Sequence, residues 1–86
     1  MGSEMRPPIE VAWDYKWILP RVREYLDLTG SHPMVGIPQI EEWIASTYEY
    51  PPGMSQYRIR HCISRALGSM DYKRRSVRGQ TWDLMR

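Results

Sequence analysis

Residues 55–85 read SQYRIRHCISRALGSMDYKRRSVRGQTWDLM, and this stretch decides the fold. In its first half Ile59, Cys62, Ile63, Ala66 and Leu67 recur at three- and four-residue steps, which puts them on one face of a helix. Ser55 stands where a cap belongs, because its hydroxyl accepts from the unpaired amides of a first turn. Gly68 marks the helix end or lies close to it. The opposite face presents Tyr57, His61, Ser64 and Arg65, with Arg58 and Arg60 on its shoulders. The second half reads as a β-hairpin. Tyr72 and Lys73–Val77 lead to a turn around Arg78-Gly79-Gln80, and Thr81–Met85 return. No helical segment separates these strands, so they must pair antiparallel.

Upstream, residues 1–12 are expected to be a flexible segment, because Pro7-Pro8 disfavours helix and holds the chain extended. Order is expected from near Trp13, with Asp14 as a cap and Trp17, Ile18, Val22, Tyr25 and Leu26 as an apolar stripe. Pro20 either kinks one helix over about 14–28 or occupies the first turn of a helix starting near Leu19. Gly30 ends it. Ser31–Ile37 is a connector in which Met34-Val35 forms a very short strand beside the hairpin. Pro38 suits the first turn of a second helix, with Ile40, Trp43 and Ile44 inward. Glu41 and Glu42 point to solvent and suit the helix dipole. Tyr48–Met54, YEYPPGM, is a rigid Pro-Gly turn. The expected class is therefore α+β, mostly α: a winged helix-turn-helix over 13–86, with three helices plus a small antiparallel β-hairpin wing.

Eighty-six residues make one domain with a small core. The net charge of +2 hides a strong asymmetry. Residues 1–51 hold four cations against eight anions, a net −4, and residues 52–86 hold eight cations against two anions, a net +6. Seven of those eight cations are Arg, which suits planar recognition of phosphate or guanine. Such polarity points to a basic face meeting a polyanion, with the acidic half turned away. One cysteine excludes an internal disulfide, and Cys62 is expected in the core. No apolar run reaches membrane-spanning length, and MGSEMRPPIE lacks the apolar centre of a signal peptide. The expected location is cytoplasmic (nucleoid-associated), or nuclear in a eukaryote. There is no Walker loop, nucleophile elbow or HExxH, so no enzyme is expected and no cofactor. His32 and His61 lack the paired spacing of a zinc site.

The segment from Arg58 to Leu84 resembles the end of many winged-helix DNA-binding domains. It is most similar to the small winged helix at the C-terminus of phage and mobile-element primase-helicases. In that family a helix ending in a leucine-glycine pair is followed by an aromatic residue, a basic strand, a glycine turn and a strand with tryptophan. Here these are Leu67-Gly68, Tyr72, Lys73-Arg74-Arg75, Gly79 and Trp82. A weaker echo of forkhead-type domains lies in Ile59-Arg60-His61 with Trp82. No ATPase or primase domain accompanies the segment, so those activities do not carry over.

The expected function is duplex DNA binding, as a small transcriptional regulator or a replication or recombination accessory protein. The helix would read the major groove with Tyr57, Arg58, Arg60, His61, Ser64 and Arg65, where Arg pairs with a guanine edge. The absence of Asp and Glu from Ser55 to Met70 sets this face apart from an ordinary solvated one, which mixes signs. Lys73, Arg74, Arg75 and Arg78 would contact phosphates, with Arg78 at the tip reaching the minor groove. Charge on an exposed strand also blocks edge-to-edge aggregation, and both roles are compatible. A protein–protein adaptor within a replication or transcription complex is one alternative, with Trp13 as its contact. Single-stranded nucleic acid binding by stacking on aromatic rings is another. Homodimerisation stays open, although no heptad seam is visible.

Overall fold

A computed structural model describes residues 6–30, 34–76 and 81–85 of the chain. They form a small α+β domain, mostly helical, in the order α1 (Arg6–Thr29), β1 (Met34–Gly36), α2 (Ile37–Thr47), α3 (Gln56–Ser69), β2 (Tyr72–Ser76) and β3 (Thr81–Leu84). The three strands make one antiparallel sheet in the order β1-β3-β2. Among the described residues no helix is long and apolar enough to cross a membrane.

The first helix departs from expectation at its start. It begins at Arg6, ahead of Pro7 and Pro8, rather than near Trp13. Both prolines fall in the first turn, where an amide has no intrahelical acceptor and a missing N–H costs nothing. Asp14 is consequently not a cap: it lies inside the helix. Pro20 sits in the interior of this single helix, the first of the two arrangements its position allowed. Having no N–H, it leaves the turn before it one donor short. One residue on, the Arg21 side chain donates through Nη1 to the Trp17 carbonyl at 2.8 Å. The same guanidinium lies 4.0 Å over the Trp17 ring and 4.8 Å over that of Tyr48.

Ile18, Val22 and Leu26 are buried along α1, and Ile37, Ile40 and Ile44 along α2. Trp17, Tyr25 and Trp43 are half-buried, packed with Tyr48 and Tyr50 at the α1–α2 seam, ring centroids 5.5–6.4 Å apart. Pro38 occupies the first turn of α2, as its fixed φ favours. The segment before α3 closes in a turn in which the Met54 amide donates to the Pro51 carbonyl, 3.4 Å away. Gly53 holds φ +86° there, a conformation open to glycine at no steric cost.

On α3 the predicted stripe is the buried one: Ile59, Cys62, Ile63, Ala66 and Leu67 are at most 5% exposed. Ser55 caps it, its hydroxyl accepting from the Arg58 amide at 3.2 Å. The helix runs one residue past Gly68, and the chain turns away at Asp71, φ +67°. Aspartate is among the few non-glycine residues that tolerate this region.

Candidate functional site

With its apolar stripe buried, α3 turns Tyr57, His61, Ser64, Arg65 and Gly68 outward. Tyr57 is 78% exposed. Its ring stacks on His61 one turn later, centroids 6.1 Å apart and planes 14° from parallel. A turn beyond, the Arg65 guanidinium lies 4.7 Å over the ring of Tyr15, which projects from α1. The Tyr15 hydroxyl donates to Ser69 Oγ at 3.4 Å. Among the described residues no carboxylate pairs with Arg65. Ser64 is half-buried in this row.

The two shoulder arginines are tied into the fold. Arg58 forms an ion pair with Asp14 of α1, whose side chain is 7% exposed, and its Nη1 donates to the Gly53 carbonyl at 3.3 Å. Arg60 Nε donates to Glu41 Oε1 of α2 at 2.6 Å, while Gln56 Nε2 donates to Glu41 Oε2 at 3.1 Å. Glu41 was expected in solvent. It faces α3 instead, 16% exposed, because an arginine from the neighbouring helix offers its carboxylate a partner. The acidic half is therefore not wholly turned away from the basic one. Asp14 and Glu41 neutralise part of the charge that sequence placed on the helix.

The signal for Asp14 is present in the sequence. Asp14, Ile18, Val22 and Leu26 are spaced four apart, so a carboxylate occupies the first position of the apolar stripe. A buried carboxylate needs a partner, and Arg58 is it. The same carboxylate sits near Cys62, buried and free. Burial first, and the charge of Asp14 second, push the Cys62 thiol above its ordinary value, while Arg65 and Arg58 act weakly the other way. The sequence pattern marks neither Tyr15 as a shelf for Arg65 nor Gly68 as a contact point for Trp82.

The hairpin divides its cations. Arg74 pairs across from Trp82, and Lys73 from Asp83, so the two point to opposite faces of the sheet. A bulge interrupts the register between Arg74 and Ser76, and Arg75, two residues beyond Lys73, returns to the Asp83 face. There Arg75 Nε lies 3.8 Å from Asp83 Oδ2 and its Nη1 is 2.9 Å from the Met34 sulfur. Lys73, Arg74 and Arg75 are all exposed, on a strand at the sheet edge.

Arg74 takes a different course. Its guanidinium lies 5.5 Å over the Trp82 ring. Trp82 in turn covers Gly68, where a β-carbon would stand 3.9 Å from the indole. Gly68 lies three residues beyond Arg65 and seven beyond His61, hence on their side of α3. Tyr57, His61, Arg65 and Gly68 thus follow one another along the outward side of α3, and the buried Trp82, 8% exposed, lies between Gly68 and Arg74. Arg78 lies outside the described residues, as do Val77, Gly79 and Gln80 of the proposed turn, and His32.

No family model matches this sequence, no curated protein matches it, and no solved structure matches its fold.

Proposed function

We propose that this chain is a winged-helix domain that binds duplex DNA through α3 and the basic hairpin, as a small transcriptional regulator or a replication or recombination accessory protein. The observation that carries the reading is the run from Tyr57 to Arg74 by way of Gly68 and Trp82. A helix of this width enters a major groove, and Tyr57, His61, Ser64 and Arg65 are the side chains that would meet base edges. Arg74, at the end of the same run, would meet a flanking phosphate, and Lys73 and Arg75 would add attraction from the other sheet face. Arg58 and Arg60 have a smaller share than a bare count of charge gives them, because Asp14 and Glu41 hold them.

Mobility shift with duplex DNA at about 50 and 200 mM salt tests the reading. Binding by phosphate contacts must weaken steeply across that range, with a slope set by the contacts made. A chain that ignores duplex DNA at the lower concentration is not a DNA-binding domain. The adaptor reading draws on Trp13, 57% exposed, but its acidic docking face is reduced by the two carboxylates already paired inside the fold.

A further inference from the structure

We infer that the recess at the start of α3 takes one unpaired nucleotide beside the duplex, with Trp13 stacking on the base and Arg58 holding its polar edge or phosphate. The inference deepens the nucleic-acid reading above and rests on it. The recess has a volume of about 370 Å³ and is lined by Trp13, Asp14, Pro52, Met54 and Arg58, with Pro51 and Gly53 completing it. That volume is at the small end for ligand sites, enough for a nucleotide and too little for an extended peptide.

Its lining has two kinds of group, and each suits one part of a nucleotide. Trp13 leaves more than half its surface in solvent, although an indole ring is among the largest apolar surfaces a side chain offers. Stacked against a base, that surface is covered without any sequence requirement, since every base has a π-face. Arg58 supplies the directional part. Its guanidinium has five donors, and Asp14 and the Gly53 carbonyl engage two of them. Three donors remain on a guanidinium that lines the recess and is held from two sides. Asp14 acts as a positioning residue here: buried, it aims the guanidinium. Arg58 follows Tyr57 and stands about 100° round α3 from it, so the recess lies to one side of the outward row. A duplex seated on α3 would bring a frayed end or a single-stranded tail to it.

The test compares blunt duplex with the same duplex carrying a three-nucleotide single-stranded tail, and adds a titration with tetrathymidylate alone. One stacked base corresponds to about a tenfold gain, so the wild-type chain binds the tailed duplex about tenfold tighter than the blunt one. Trp13→Ala removes that preference without altering blunt-duplex affinity, and Trp13→Phe restores most of it. Tetrathymidylate shifts the Trp13 indole N–H signal, assigned by its loss in Trp13→Ala. An equal tail preference in wild type and Trp13→Ala, or a Trp13 signal that tetrathymidylate leaves in place, overturns the inference. A chain that fails to bind blunt duplex while Trp13 still responds to tetrathymidylate loses the duplex reading and keeps the recess.

Discussion

The Asp14 carboxylate, buried on the apolar stripe of α1, closes on the guanidinium of Arg58 in the first turn of α3. One contact joins the most acidic and most basic parts of the chain, and it fixes how the two helices meet. Removing one partner leaves a charge in a site built for two, which costs more than the pair itself contributes.

Asp14→Ala is therefore expected to destabilise the fold by about 2–3 kcal/mol, below the range for a fully buried pair, because Arg58 keeps a third of its surface in water. Urea unfolding with an unchanged m-value measures this. A loss below about 0.5 kcal/mol would make the pair an ordinary surface contact.

The Arg60–Glu41 contact calls for a double-mutant cycle, since both groups have further neighbours. Arg60→Ala and Glu41→Ala should each destabilise the fold, and the double variant should lose less than their sum by about 0.5–2 kcal/mol. Additive losses would show that the 2.6 Å contact carries no coupling.

Gly68 and Gly53 should respond in opposite directions to alanine. Gly68 lies in α3 with ordinary helical backbone, and a methyl group there meets Trp82 at van der Waals distance. Gly68→Ala is expected to raise stability by about 0.5–1 kcal/mol. Gly53 holds a positive φ, so Gly53→Ala should lower stability by about 1 kcal/mol although nothing crowds it. Thermal unfolding of both variants decides whether backbone conformation or space governs these sites.

DNA binding separates the arginines by role. Arg65→Ala should weaken specific binding by about 1–3 kcal/mol and relax preference at one base pair. Arg74→Ala should weaken binding to all sequences and lower the salt slope by about one. Equal effects of both variants on specific and random duplex would remove base reading from α3.

Alkaline conditions should destabilise the fold. Burial, followed by the Glu41 charge, pushes Tyr50 up to about 12, and burial followed by Asp14 raises Cys62. In the unfolded chain these groups lose their protons near their ordinary values, while the folded chain still holds them. The unfolded state binds fewer protons, so stability is complete below about pH 9 and falls from there toward pH 12. Urea midpoints at pH 8, 10 and 11 should decline in order, and Cys62→Ala should flatten the first part of the decline. The native thiol should also resist alkylation until the chain unfolds.

Local chemistry made much of this legible without coordinates. Ser55 as a cap, the five-residue stripe of α3, Pro38 in the first turn of α2 and the antiparallel hairpin follow from spacing and from what each side chain offers its own backbone. Those interactions span a few residues, so a linear reading contains them. Pro7-Pro8 misled it, because proline breaks a helix in its interior and begins one at its edge. The alternation that sends Arg74 and Lys73 to opposite sheet faces was implicit in the strand period.

What the chain alone could not decide is which charges remain available. Asp14 and Arg58 are far apart in sequence, and Glu41 reaches Arg60 only because α2 packs beside α3. Charge counts add along a chain, whereas Coulomb attraction depends on distance after folding. Tertiary structure thus converted two arginines from surface cations into helix ties, and left Arg65 and Arg74 exposed.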